Sequence, residues 1–208
     1  MTTWLHEQRL EAVRQIVLES GATSVLDLGC GDGDLLVRLV LEPQIERIVG
    51  IDLCHVSLGR LRTRLSAMKE EATARVDLVL GSMIERHSGL TGFDLAILIE
   101  TIEHIAPDRL STLEQAIFSH MRPGGVVVTT PNAEFNPLLG VPSGRFRHPD
   151  HRFEWDRIKF QQWARGVALR NGYDVVFQDI AGRHPAYGGA SQMAVFKVAG
   201  CSADRLAA

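Results

Sequence analysis

The chain has 208 residues, 45% of them hydrophobic and 23% charged, with a formal net charge of −3. That composition fits one globular domain with a sizeable core, and its slightly acidic balance leaves any nucleic-acid contact to a local basic patch. Met1 opens a charged amphipathic segment, no apolar run reaches membrane-spanning length, and Cys30, Cys54 and Cys201 lack metal-ligand spacing, so a cytoplasmic protein with reduced thiols and no membrane partner is expected.

Residues 5–20 carry apolar side chains at helical spacing (Leu10, Val13, Ile16, Val17) and stop at Gly21. Ser24–Leu28 reads as a first strand, 35–41 as a helix, Arg47–Asp52 as a second strand and 57–71 as one basic amphipathic helix. A third strand at Val76–Leu80, a fourth at 93–99, a helix at 108–120 and a strand at 126–130 continue the alternation. Residues 131–156, rich in Pro, Gly, Asn and Arg, break it and read as a long functional loop. A helix at Arg157–Asn171 and two closing strands, Tyr173–Ile180 and Ser191–Val198, follow, with 201–208 as a frayed tail. The order predicts a single α/β domain over 1–208, a doubly wound, Rossmann-like sheet that is mostly parallel with a final antiparallel strand.

Asp27-Leu28-Gly29-Cys30-Gly31-Asp32-Gly33 falls at the first strand-to-helix turn, where doubly wound sheets bind nucleotides. Its glycines follow G-x-G-x-G, and Asp34 stands where a dinucleotide site needs its third glycine. Asp32 and Asp34 would repel a pyrophosphate and suit a cofactor with a cationic linker. Asp52, closing the second strand, is placed to accept hydrogen bonds from both hydroxyls of a ribose.

Glu100-Thr101-Ile102-Glu103-His104 follows the fourth strand. On one helical turn, positions i, i+3 and i+4 share a face, so two carboxylates and an imidazole would converge there. Two such acids repel unless a cation or a proton separates them, and the mixed oxygen and nitrogen donors suit Mg²⁺ or Mn²⁺.

On these residues the chain resembles the class I S-adenosylmethionine (SAM) methyltransferases, from Val25 to Val198. The resemblance implies SAM as cofactor, with Gly29, Gly31 and Gly33 admitting its methionine end and Asp27 supporting the turn or the amino group. Ser82 and Met83, after Gly81, would flank the adenine, and Pro123-Gly124-Gly125 is similar to the turn before the superfamily's fifth strand. Three stretches together are more specific: 100–104, Thr130-Pro131-Asn132-Ala133-Glu134-Phe135-Asn136, and Arg145-Phe146-Arg147-His148-Pro149-Asp150-His151-Arg152-Phe153-Glu154-Trp155. With the lead-in Leu5-His6-Glu7-Gln8-Arg9, they resemble the metal-dependent small-RNA methyltransferases of the HUA-enhancer type, which methylate the 2′-hydroxyl of the 3′-terminal nucleotide. That likeness implies Glu100, Glu103, His104 and His151 as ligands of Mn²⁺ or Mg²⁺, an RNA 3′ end as substrate, and leaves room for an RNA-repair partner protein.

Four side chains leave two places on an octahedral ion, which the adjacent 2′ and 3′ hydroxyls of a terminal ribose can fill and an internal nucleotide cannot. Two imidazoles tilt the preference towards Mn²⁺. The catalytic base is expected to be His104 or His151. Arg145, Arg147, Arg152, Arg157 and Lys159 are candidates for a phosphate patch, and His148 for a phosphate contact or a neighbour of the ligands rather than a fifth ligand. Phe146, Phe153 and Trp155 either anchor the loop or stack on a base, and Arg183 and Tyr187, in a final turn expected on the carboxyl-end face of the sheet, are candidates to border the substrate. Two other readings stay open: a metal-dependent O-methyltransferase of a small diol or catechol, and an RNA-end or SAM-binding module without turnover.

Overall fold

Both faces of the central strands are apolar, so the sheet must be covered on both sides. In β1 (Ser24–Leu28), Val25 enters one core while Leu26 and Leu28 enter the other. The same division holds in β4 (Leu95–Ile99), where Leu95 and Ile97 oppose Ala96 and Leu98, and in β5 (Gly125–Pro131), where Val127 opposes Val126 and Val128. One core is closed by α1 (Trp4–Ser20), α2 (Leu36–Leu39) and α3 (His55–Ser66), through residues such as Val13, Leu36 and Leu61. The other lies under Leu110–Met121 and under the last helix, Arg157–Asn171, through Ile117, Phe160 and Val167.

The computed structural model describes residues 3–200, so Cys201 and the 201–208 tail lie outside the described residues. With β2 (Arg47–Asp52), β3 (Val76–Leu80), β6 (Tyr173–Ile180) and β7 (Ser191–Val198), the seven-stranded sheet has the order β3-β2-β1-β4-β5-β7-β6. Only β7 runs against the direction of the other strands, pairing Pro131 with Ser191 and Ile180 with Ser191 at one end. This is the mostly parallel, doubly wound sheet that the alternation of elements predicts. The strand order reverses between β1 and β4, which are hydrogen-bonded neighbours, and such a switch point opens a crevice at their carboxyl ends. Among the described residues, no helix is long and apolar enough to cross a membrane.

Three elements differ from expectation. The helix expected over 57–71 breaks into α3 and a short α4 (Glu70–Thr73), because Met68 packs into the core beneath α3 and Lys69 turns extended (φ −65°, ψ 133°). The helix expected over 108–120 is a 3₁₀ turn at Pro107–Arg109, then α5 (Leu110–Glu114), then a wider π-helical stretch, Gln115–Met121. Within 131–156, Ala133–Leu139 forms 3₁₀ turns under an Asn132 cap. The helix α6 (Arg157–Asn171) has the expected bounds, since Asp156 caps its first turn and Gly172 (φ 74°) ends it, devices worth about 1 kcal/mol for the N-cap.

Candidate active site

The glycine turn leaves β1 beneath the first turns of α1. Asp52 braces it: Oδ2 accepts from the backbone N–H of Gly31 at 2.8 Å and Oδ1 from that of Cys54 at 2.7 Å. Each oxygen keeps lone-pair capacity for a ribose hydroxyl. The glycines differ in what surrounds them. A Cβ at Gly31 (φ 54°) would meet nothing within 4 Å, whereas one at Gly29 would lie 2.5 Å from Thr101 Cγ2 and 3.0 Å from Met83 Cε. Gly29 thus puts the cofactor turn against the Glu100–His104 segment. A Cβ at Gly33 would come within 2.2 Å of Leu61 Cδ1, so Gly33 serves the packing of α3 on the turn. Ser82 is buried beside Met83, and its carbonyl accepts from His87 Nε2 at 2.8 Å.

Asp32 and Asp34 do not stand as open charge beside the cofactor. Arg60 pairs with Asp32 at 3.3 Å, and Arg64 and His6 reach Asp34 at 2.7 and 3.2 Å. The basic face of α3 neutralises them, a pairing invisible in the turn itself. Asp27 is the uncompensated acid on this side: burial, and then the charge of Asp52, raise its pKa to about 7.

Glu100 ends β4 in the left-handed region (φ 50°), a conformation costing a non-glycine residue about 1–3 kcal/mol and concentrated at functional sites. It therefore precedes, rather than starts, the 3₁₀ turn Ile102–His104, so the expected single helical turn does not form. Its carboxylate accepts from Thr129 Oγ1 (3.0 Å) and Ser191 Oγ (3.3 Å) and pairs with Arg9 (3.2 Å). Glu103 is fully buried. Thr130 Oγ1 donates to its Oε2 at 3.0 Å, while Oε1 has no partner. Burial, and then Glu100, push its pKa well up. A carboxyl in this position either keeps a proton or takes a cation.

On the outer side, ring nitrogens of His104, His148 and His151 lie within 4.8 Å of one another, the only such group of potential metal ligands among the described residues. His104 meets His151 edge-on, with centroids 4.8 Å apart. Desolvation, then His151 and His148, lower the His104 pKa, favouring the neutral ring that a ligand requires. His148 joins the cluster in space, but its Nδ1 accepts from the Asp150 N–H at 3.2 Å. A neutral His148 then carries its proton on Nε2 and offers a donor rather than a lone pair. Glu100 and Glu103 are not part of that group: of the four ligands expected from the sequence, the structure gathers His104 and His151, together with His148, and leaves the two carboxylates outside. The orphaned Glu103 Oε1 and the imidazoles are nonetheless the oxygen and nitrogen donor types that Mn²⁺ or Mg²⁺ accepts.

Several neighbours belong to the lead-in motif but have no role assigned by the sequence. Each polar side chain at the start of α1 reaches a different part of the site: His6 to Asp34, Glu7 to Arg38, Gln8 to the Gly182 N–H, and Arg9 to Glu100 and Ser191. The basic patch is smaller than expected. Arg147 is drawn inside, donating to Asn136 Oδ1 (2.5 Å), Ala190 O (2.7 Å) and Asn132 O, and Arg157 pairs with Glu134 and Asp179. Arg145 and Arg152 stay exposed, and Lys159 lies 5.5 Å over the Trp155 ring. Phe153 and Trp155 stack at 4.1 Å in the core and anchor the loop, leaving Phe146 exposed. Asn132 Nδ2 donates to Tyr187 O and Gly189 O, holding the Arg183–Tyr187 turn against the site.

Residues 26–127 match the family model described as a methyltransferase domain, which agrees with the glycine turn and the sheet order. A small RNA 2′-O-methyltransferase of Rattus norvegicus is 41% identical over 203 residues, covering 93% of this chain and 51% of the relative. Its namesake from Arabidopsis thaliana is 32% identical, over 98% of this chain and 24% of the relative. The methyltransferase domain of bacterial CtHen1 superposes with a TM-score of 0.84 at 36% identity, over 93% of this chain and 99% of that domain. The chain belongs to the small RNA 2′-O-methyltransferase (HEN1) family, within the SAM-dependent methyltransferases. It spans about half the length of the rat and mouse relatives.

Proposed function

We propose that this protein transfers the methyl group of SAM to the 2′-hydroxyl of the 3′-terminal nucleotide of RNA, with Mn²⁺ or Mg²⁺ held by Glu100, Glu103, His104 and His151. The observation that carries the reading is Glu103 Oε1, a buried carboxylate oxygen without a donor, beside Glu100 and one residue from the histidine cluster. The relatives are named for 2′-O-methylation of small RNA, which supports the reaction, while the terminal position and the metal belong to the reading proposed.

When bound by these residues, the ion would supply Lewis acidity that eases loss of the proton from a ribose hydroxyl. The chain's own side chains prepare for it. Thr129, Ser191 and Arg9 hold Glu100, and Thr130 holds Glu103 so that one oxygen stays available. A lone pair that holds the ion cannot also take the hydroxyl's proton, so whichever of His104 and His151 serves as base does so only weakly while it is also a ligand. His148 Nε2–H and the exposed Arg145 and Arg152 are donors for the terminal phosphate. Asp27, a poor place for an isolated negative charge, is a good one for the cationic methionine end of SAM. Asp52 retains capacity for the ribose, and the open space at Gly31 admits the cofactor. An end carrying a 3′-phosphate lacks the free diol, so a repair partner that removes the phosphate would have to act first.

The test is incubation with labelled SAM and RNAs ending in a 2′,3′-diol, a 3′-phosphate, a 3′-deoxyribose or a 2′-O-methyl group, with catechols alongside. Only the diol end should take label, and the product should resist periodate, which cleaves a free vicinal diol. Label at internal nucleotides or on catechol alone would overturn the assignment.

A further inference from the structure

We propose that Glu154 is a positioning residue that fixes the tautomer and orientation of His151, leaving the His151 Nε2 lone pair free for the cluster. The inference rests on the metal-dependent reading above, in which His151 is a ligand. The Glu154 side chain is 1% exposed and that of His151 8%, so neither has water as an easy alternative partner. Three donors converge on the Glu154 carboxylate. His151 Nδ1 lies 2.6 Å and the Arg147 N–H 2.7 Å from Oε1, and Asn136 Nδ2 lies 2.6 Å from Oε2.

The Asn136 carboxamide cannot be turned round, because its Oδ1 accepts from Arg147 Nε at 2.5 Å. Glu154 Oε1 already accepts from a peptide N–H, so the proton between Oε1 and the ring sits on His151 Nδ1. The opposite nitrogen is then bare, and a carboxylate behind a ligating imidazole strengthens it as a donor to a cation. Asn136 and Glu154 also stand at the two ends of the loop that carries His148 and His151, so the same contact closes that loop. Glu154 lies within a motif visible in the sequence, but the motif assigned it no role. The usable signal is a carboxylate three residues after a histidine.

A purely structural clasp would hold the loop without selecting a tautomer, and the test separates the two. In mildly alkaline buffer, long-range nitrogen-15 NMR of the metal-free protein should show His151 protonated at Nδ1 and bare at Nε2. Glu154→Leu should give a mixture of tautomers and weaken Mn²⁺ binding about 10–100-fold by calorimetry. Glu154→Gln, which keeps a carbonyl acceptor, should retain the tautomer and lose less affinity. SAM affinity, within about twofold of the parent in both variants, reports that the fold is intact. A His151 protonated at Nε2 in the parent protein overturns the proposal, as does a SAM-binding Glu154→Leu with unchanged tautomer and Mn²⁺ affinity. If Glu154→Leu does not fold, the parent spectrum and Glu154→Gln decide. A parent protein that binds no Mn²⁺ overturns the metal reading instead, because the tautomer is measured without metal.

Discussion

The site has two halves built on different plans. At the carboxyl ends of β1 and β2, Asp27 to Asp34 and Asp52 form the site from short stretches of chain, and two of the acids are matched by arginines of α3. At the ends of β4 and β5, the first turns of α1, residues 100–104, Thr129 and Thr130, the 147–154 loop and Ser191 must come together, and Glu103 is still left unmatched. A half whose acids, Asp27 apart, are matched can be preformed. A half with a buried, unpartnered carboxylate oxygen is incomplete until a cation or proton arrives, and that imbalance is itself evidence of what it binds.

Removing the imbalance should have the largest effect. Glu103→Gln should lower methyl transfer about a thousandfold or more, since a lost ligand forfeits several kcal/mol of activation, and should abolish Mn²⁺ binding by calorimetry. The same change should raise the melting temperature of the metal-free protein, because a neutral amide replaces an acid crowded by Glu100. Chelator should mimic the loss of activity, with Mn²⁺ restoring it at least as well as Mg²⁺. Full activity in chelator would erase the distinction between the halves.

The converse change on the cofactor half is Asp52→Ala, which removes the acceptor of the Gly31 and Cys54 N–H groups. SAM affinity should fall by about 1.5–3 kcal/mol while Mn²⁺ binding holds. Unchanged SAM titrations would remove Asp52 from the site.

The glycines sharpen the comparison further. Gly33→Ala should cost about 1–3 kcal/mol in urea unfolding, because its methyl meets Leu61 at 2.2 Å. Gly31→Ala meets no side chain but must adopt a left-handed φ of 54°, costing about 1–2 kcal/mol. Its methyl enters the open space of the turn, so SAM affinity should fall beyond what the stability loss explains. The reverse pattern would exchange their roles.

The smallest effect is on pH. Asp27 has its pKa raised from 3.8 to about 7 in the folded protein, so its contribution to stability is complete below about 3.8 and is lost as pH rises through about 7. A cationic cofactor favours the ionised carboxylate, so SAM affinity should weaken as pH falls below about 7, by at most tenfold per pH unit. Asp27→Asn should flatten both curves, in calorimetry and in thermal melts across pH.

The cofactor half was legible because its signals are local: a strand, a glycine pattern, an acid at the end of the next strand. Even there, Asp32 and Asp34 suggested open negative charge, since Arg60 and Arg64 sit about thirty positions away on α3. The half around Glu100, Glu103 and the histidines showed its residue types but not its geometry. Helical spacing was the wrong reason for the approach of Glu100 and Glu103, because Glu100 adopts a left-handed φ that spacing does not encode. Arg147 was read as a phosphate contact, and it is instead a buried tie between Asn132, Asn136 and Ala190. His6, Arg9 and Glu154 went unassigned because the partners of His6 and Arg9 are remote and those of Glu154 lie in an irregular loop.

The reach of α1 bears on how the molecule is made. Gln8 and Arg9 close onto Gly182 and Ser191, separated from them by 174 and 182 positions. During synthesis those two side chains must wait for nearly everything that follows, although the glycine turn can form much earlier. The amino-terminal end of α1 is therefore tied to residues near the other end of the chain, and the Glu100 side of the site closes only when both are in place. A cut anywhere between would leave Arg9 without its hydroxyl partner and Glu100 without part of its brace.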